Sequence, residues 1–276
     1  MVEKHINSKL RVKWLGIFLG DDWHVTPAGG ATGEAYIAQQ GDQKLFLKRN
    51  SSPFLAVLSA EGIVPKLLWT KRLESGDVIT AQRWVNGREL KSYEMNGTNV
   101  AQLLGKIHRS SELLDMFKRI GNSPLTPNII IENLQKKLSS LQSYDEVLEH
   151  GLIYLFKKKD KVDHPKFVVC HTDVNHNNWI LSESGELYLI DWDGATVADP
   201  ALDLGLLLYL YIPELQWDSW LNQYGITLSN DLQLRMHWYV VSQTIFIILW
   251  HMQRNEQNEV DRWVKYLVEL LKDNTL

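Results

Sequence analysis

Apolar residues in this chain change period once, and that change limits the folds it can adopt. Up to about residue 86 they come in short β-rich runs: Trp23–Thr26, Glu34–Gln39, Gln43–Lys48, Lys66–Leu73 and Val78–Val85. The third run alternates as K-L-F-L-K, the pattern of a half-buried strand. Turn residues separate them: A-G-G-A-T-G after the first, Gly41-Asp42 after the second and E-S-G-D before the last. One helical segment interrupts the series, with Ser52 as cap, Pro53 as first residue and Gly62 as stop. A mainly antiparallel sheet of about five strands with one inserted helix is therefore expected, ending where N-G-R-E-L breaks the pattern.

From Thr98 onward the spacing turns helical. Val100, Leu103, Leu104, Ile107, Leu114 and Phe117 share one face, and Thr126-Pro127 is a cap followed by a first-turn proline. Further helices are expected over Asp145–Lys157, over Asp203–Tyr211 and in several segments up to Leu271. The fold class that follows is α+β and bilobal: residues 1–86 as a small β lobe, residues 87–276 as a larger, mainly helical lobe. A chain of 276 residues is long enough to give both lobes a core.

Within the helical half lies one stretch of a different kind, C-H-T-D-V-N-H-N-N-W-I-L, then S-E-S-G, then E-L-Y-L-I-D-W-D, from Cys170 to Asp193. Apolar runs on either side read as strands, so the polar residues sit in a loop between strands and at the exit of the last one. An H-x-D, an Asn five residues after the Asp, and a strand ending in Asp match the needs of phosphoryl transfer. That reaction requires a base for the acceptor hydroxyl and oxygen ligands for magnesium.

Charge is divided along the chain. Residues 1–166 carry 24 Lys and Arg against 18 Asp and Glu; the remainder carries 5 against 15. A basic first half suits a nucleotide polyanion and an acidic second half suits metal and acidic ligands, although two differently solvated surfaces account for the asymmetry equally well. The run K-K-K-D-K at 157–161 reads as a solvated turn, so direct nucleic-acid binding is not expected. The first ten residues contain no hydrophobic stretch, so no secretory signal is expected, and no apolar window reaches the ~20 residues of a membrane span. The single cysteine, Cys170, lies in an apolar run; a buried, reduced thiol in a cytoplasmic protein is the expectation.

Taken together these motifs resemble the aminoglycoside phosphotransferase and choline kinase family, which shares the protein-kinase-like fold. H-T-D-V-N-H-N-N-W-I-L resembles its catalytic loop, L-I-D-W-D-G-A its metal-binding segment, V-A-D-P-A-L-D-L-G the element that follows, and L-L-G-K-I-H its L-x-x-L-H helix. More narrowly, S-P-F-L, P-K-L-L-W-T-K-R-L and Y-L-I-D-W-D resemble the CcrZ-type bacterial kinases, a branch tied to cell-cycle control.

The resemblance implies ATP and Mg2+ as cofactors and a role for each matching residue. Asp173 is the catalytic base, and Asn178 and Asp191 are magnesium ligands with Asp193 as a further carboxylate. Lys48 pairs the α- and β-phosphates, and Gly29, Gly30, Thr32 and Gly33 form the loop that covers them. Gln82, Trp84 and Val85 belong to the adenine hinge, acting through backbone groups. Glu61 is the only acidic residue of the inserted helix and is offered as the partner of Lys48, at a later position than the family pattern. His171 and Asp203 are expected to support the loop, Asp199 similarly. Thr172 departs from the family's usual glycine, and Asn175, His176 and Asn177 replace H-P-G beside the acceptor.

For the acceptor, three classes stay open: choline or ethanolamine caged by aromatic faces, a polycationic aminoglycoside, and a ribosyl or nucleoside-like hydroxyl compound. The aromatic residues of the C-terminal half, from Tyr209 to Trp263, serve any of these or simply fill the core. Two other classes are weighed as well: a regulatory nucleotide-binding protein acting through a cell-division or replication partner, and a two-metal phosphohydrolase built on His171, Asp173, His176, Asp191 and Asp193. No G-x-x-x-x-G-K-[ST] is present, which excludes an ordinary P-loop NTPase.

Overall fold

The computed structural model describes residues 19–20, 22–29, 34–121, 123–141 and 143–272. It divides into two compact units, one formed by Met1–Arg88 with Ile180–Ile190, the other by Glu89–Trp179 with Asp191–Leu276.

The first unit is built on a five-stranded antiparallel sheet, ordered β1 (His24–Gly29), β2 (Ala35–Gln40), β3 (Gln43–Arg49), β5 (Val78–Arg83), β4 (Leu67–Arg72). In β3 the alternation seen in the sequence sorts side chains by face. Leu47 pairs with Tyr36 and Ala81, and all three are buried with Val25, Ala38 and Ile79 in the core of the sheet. Lys48 points the other way, in register with Ala35 and Thr80, because successive side chains of a strand leave opposite faces. Helix α1 (Phe54–Ala60) buries Phe54 and Leu58. It ends at Glu61, where Gly62 at φ 68° lets the Ile63 N–H reach back to the Leu58 carbonyl at 2.9 Å.

The hairpin of β8 (Trp179–Ser182) and β9 (Leu187–Leu189) forms a separate three-stranded sheet with β6 (Gly87–Glu89). Relative to a division at 86/87, this groups 180–190 with the first unit. The cause is local pairing: Glu183 N–H donates to the Asn86 carbonyl at 2.9 Å and Leu189 N–H to the Ile63 carbonyl at 3.0 Å.

The second unit is helical apart from β7 (Val168–Cys170), which pairs antiparallel with β10 (Thr196–Ala198). The residues of β10 sit inside a motif read for chemistry, and their pairing with β7 was not anticipated. Helical periodicity over 98–117 also breaks once, into α2 (Thr98–Arg109) and α3 (Ser111–Arg119). Ser110 leaves the helical conformation at ψ 113° and its hydroxyl accepts the Leu113 N–H at 3.1 Å, ending one helix and capping the next. Helix α4 (Pro127–Ser139) starts on the Thr126 cap and α5 (Glu146–Lys158) on the Asp145 cap.

At the centre are α6 (Ala201–Tyr211) and α8 (Asn230–Gln253), flanked by α7 (Trp217–Tyr224) and α9 (Gln257–Lys272). Residues 201–208 of α6 are all buried, as expected of a helix apolar on every side. The two central helices approach closely at Gly205, where an added Cβ would lie 2.7 Å from the Met236 carbonyl oxygen and 3.0 Å from Val240. Among the described residues no helix is long and apolar enough to cross a membrane.

Gly205→Ala is expected to overpack this crossing and to cost ~1–3 kcal/mol. At roughly 2–4 °C per kcal/mol for a unit of this size, thermal denaturation followed by circular dichroism should show a clearly lowered midpoint. An unchanged midpoint would mean that the two helices separate without resistance.

Candidate active site

The loop after β7 is held from below by one carboxylate. Asp203, fully buried in the first turn of α6, accepts the His171 N–H at 2.7 Å and the Thr172 N–H at 2.8 Å. Its Oδ2 also lies 3.1 Å from Nε2 of His108 in α2, and His108 Nδ1 lies 2.7 Å from the Tyr224 hydroxyl in α7. The donors assign themselves along this line. Tyr224 donates to Nδ1, Nε2–H donates to Asp203, and Asp203 receives the loop. Burial pushes the Tyr224 phenol far up, so it stays a donor.

The chain reaches this point through β7, and its last residue, Cys170, is buried beside the carboxylate. Burial, with the charges of Asp203 and Asp199, pushes the thiol well above its ordinary value. His108, Cys170 and Asp203 are the one trio of potential metal ligands that comes together among the described residues, with ligand atoms within 4.8 Å of one another. Both Asp203 oxygens are already occupied by N–H donors, so this trio is a brace. Asp199 does a different job: it takes the buried Arg235 guanidinium at 2.5 and 2.6 Å and caps Ala201 N–H at 2.9 Å.

Above the brace, Asp173 is exposed and oriented by its neighbours. Asn175 Nδ2 donates to Oδ1 at 2.5 Å, and Asn178 Nδ2 donates to Oδ2 at 3.0 Å and to the Asp173 backbone carbonyl at 2.9 Å. Each carboxylate oxygen retains a lone pair, so the group stays competent to take a proton. Asn175 Oδ1 in turn accepts the Asn177 N–H at 3.0 Å and starts the single turn His176–Asn178. His171 is buried, its Nδ1 accepts the Asp173 N–H at 3.3 Å, and its ring meets Trp192 edge to face at 4.7 Å. A nitrogen that accepts from the backbone of Asp173 holds the loop, which is a supporting arrangement.

The same contacts test the fit to magnesium. Because its nitrogen is bound to Asp173, the donor that Asn178 offers to a metal is Oδ1. Asp191 and Asp193 add carboxylates on the turn that follows β9. A donor set made of hard oxygens suits Mg2+, so Asn178, Asp191 and Asp193 fit the ion the sequence implies. Asp191 adopts the left-handed conformation at φ 64°, ψ 63°, a region that Asp tolerates better than most residues.

In the first unit, Lys48 is half-buried on the face of β3 opposite the sheet core, and its carbonyl accepts the Thr80 hydroxyl at 3.1 Å. Glu61 is the C-terminal cap of α1, its own N–H bonded to the Val57 carbonyl. The Gln82 side chain is buried and donates to the Pro65 carbonyl at 2.8 Å, so its amide serves the frame. Trp84 and Val85 follow the end of β5; Trp84 Nε1 donates to Asn86 Oδ1 at 3.1 Å and Lys44 Nζ lies 3.9 Å from the ring centroid. Gly29 closes β1 after a bulge that begins at Pro27. Gly30, Thr32 and Gly33 lie outside the described residues.

Several contributions escaped the sequence reading, which placed Tyr211 and Tyr224 only among the aromatic residues of the acceptor region. His108 was visible only as the end of L-L-G-K-I-H, and nothing near Tyr224 signals its bond to that histidine. Tyr211, at the end of α6, is joined to the loop through its hydroxyl, 3.3 Å from His176 N and 3.1 Å from His176 Nδ1. Burial raises its pKa and the nearby Asp173 charge adds to that. Of the aromatic residues proposed for acceptor binding, Trp217, Trp220, Tyr224, Trp238 and Tyr239 are core residues, several with the indole N–H spent on a backbone carbonyl.

Two outcomes follow from the brace. Asp203→Ala strands two buried N–H groups and one imidazole N–H and is expected to cost about 2–5 kcal/mol, read as a lowered denaturant midpoint with accelerated amide exchange at 171–173. Cys170 should resist a thiol reagent such as dithionitrobenzoate in the native protein at pH 8 and react fully in denaturant. Rapid native labelling would contradict a buried thiol.

Residues 24–239 match the sequence profile of the phosphotransferase enzyme family. Among solved structures, the choline kinase LicA from Streptococcus pneumoniae superposes with a TM-score of 0.72 at 19% identity, covering 98% of this chain and 99% of that one. The aminoglycoside 2'-phosphotransferase-IIIa, in its GDP complex, gives 0.73 at 14% identity, covering 97% and 99%. A choline/ethanolamine kinase family protein from Mesorhizobium loti gives 0.67 at 14% identity, covering 92% and 90%. These similarities carry the fold, an antiparallel sheet unit plus a helical unit of kinase-like type. With the profile spanning most of its length, the chain belongs to the phosphotransferase enzyme family.

Proposed function

We propose that this phosphotransferase is an ATP- and magnesium-dependent small-molecule kinase whose acceptor is a hydroxyl of a ribosyl or deoxyribosyl, nucleoside-like compound. The observation that carries the kinase reading is the carboxylate of Asp173, exposed, oriented by Asn175 and Asn178, and set on a loop that Asp203 holds from inside. The acceptor oxygen attacks the γ-phosphorus, its proton passes to Asp173, and the bond to the bridging oxygen of ADP breaks. Asn178, Asp191 and Asp193 would hold magnesium, which would supply charge neutralisation to the transferred phosphoryl group. Lys48 pairs the α- and β-phosphates, and the backbone at Gln82–Val85 takes the adenine.

Support for a ribosyl acceptor comes from polar groups around the base. Asn175, His176, Asn177 and the Tyr211 hydroxyl bring hydrogen-bonding atoms to the Asp173 loop. Burial of half of the aromatic candidates weakens the case for an aromatic cage around a quaternary amine. The resemblance to CcrZ-type kinases points the same way and adds a role in bacterial cell-cycle control, with a division or replication protein as partner. The second reading, a choline, ethanolamine or aminoglycoside kinase, is favoured by the choline kinase and the aminoglycoside phosphotransferase among the structural neighbours.

Purified protein with ATP and Mg2+ is offered nucleosides, ribose, choline, ethanolamine and kanamycin while ADP release is followed. Nucleosides or ribose should turn over and Asp173→Ala should lose at least about 100-fold in kcat. Turnover of choline or kanamycin alone would replace the acceptor reading, and nucleotide-independent phosphate release would replace the kinase reading.

A further inference from the structure

Thr172 occupies a backbone conformation that threonine rarely adopts, with φ 70°. A β-branched side chain in the left-handed region is strained, and such positions persist only where the surroundings impose them. Here the surroundings are specific. The Thr172 N–H is spent on Asp203 Oδ1 at 2.8 Å, and its hydroxyl donates to the Gly194 carbonyl at 3.0 Å. Gly194 ends the turn that begins at Asp191 and contains Asp193. A Cβ at Gly194 would fall 2.9 Å from Thr172 Oγ1, so the turn is shaped to admit this hydroxyl.

We propose that Thr172 is a positioning residue: its hydroxyl ties the turn carrying Asp191 and Asp193 to the loop carrying Asp173. Glycine, relaxed at φ 70°, has no atom with which to make that tie. The strained backbone is thus retained for a side chain that couples the base to the carboxylates. This inference rests on the kinase reading for its consequence in turnover, while the tie itself is a property of the two segments.

The test compares wild-type protein with Thr172→Gly, Thr172→Ser and Gly194→Ala, using hydrogen–deuterium exchange, thermal denaturation and the Mg2+ dependence of ADP formation. For Thr172→Gly, exchange in the segment 192–195 should accelerate at least fivefold. Its Mg2+ concentration for half-maximal rate should rise at least threefold, with a melting temperature equal to or above wild type. Gly194→Ala should reproduce the exchange and Mg2+ effects, because it displaces the same hydroxyl. Thr172→Ser keeps the hydroxyl and should restore both towards wild type. Unchanged exchange in Thr172→Gly overturns the proposal, as does acceleration spread over the whole helical unit with a lowered melting temperature, which would make Thr172 a general stabiliser. Absence of ADP formation by the wild type with every acceptor would instead sink the kinase reading and leave the exchange measurement to decide the tie.

Discussion

A single buried carboxylate organises the helical unit. Asp203 takes N–H groups from His171, Thr172 and His108, three donors from two separate parts of the chain. Buried carboxyl oxygens are tolerated only when they are hydrogen-bonded, and here two of the donors that meet them are backbone groups of the candidate catalytic loop. The need of the carboxylate and the need of the loop are satisfied by the same bonds. His108 extends the arrangement to Tyr224, so helices α2, α6 and α7 are all committed to holding one short stretch of chain.

The loop carries a second layer of order on top of the first. Asn175 and Asn178 each donate to a different oxygen of Asp173, so its plane is set by side chains only two and five residues away. Fixing the amide of Asn178 in this way also leaves Oδ1 as the atom it offers to another partner. Under the proposed function, one side chain would orient the base with its nitrogen and offer magnesium its oxygen. Chemistry that consists mainly of positioning and charge neutralisation gains from such doubled use, because no group has to find its place when substrate arrives.

What could be read from the sequence follows a physical rule. Strand β3 was legible because alternate burial is written directly in K-L-F-L-K, and the cap at Thr126 because a helix start recruits a side chain of known type; Asp145, read as the first residue of its helix, is instead the cap. Asp173 and Asn178 were named as candidates from their five-residue spacing, and the structure joins their side chains; Asp191 was named from its place at the exit of a strand, where it stands. Other features depend on partners far along the chain: the 116-residue separation of His108 from Tyr224 leaves no local trace. Strand β10 is three residues long and sits in a segment whose polar residues dominate its appearance. The division of the long helical stretch at Ser110 rests on one serine choosing a cap over a helix interior, a choice made by packing. Thr172 is a plainer case: side-chain identity argues against φ 70°, so only coordinates reveal it.

The bonds from Asp203 and Tyr224 have a consequence for how the protein matures. Asp203 lies 95 residues from His108 and 32 from His171, and Tyr224 comes later still. Contacts so distant in sequence form only after the intervening chain has been closed into loops, the slow part of folding. A chain still being synthesised, or one whose helical unit has come apart, therefore lacks the frame on which Asp173 stands. Readiness for reaction thus depends on contacts that close only once the chain from His108 to Tyr224 is in place.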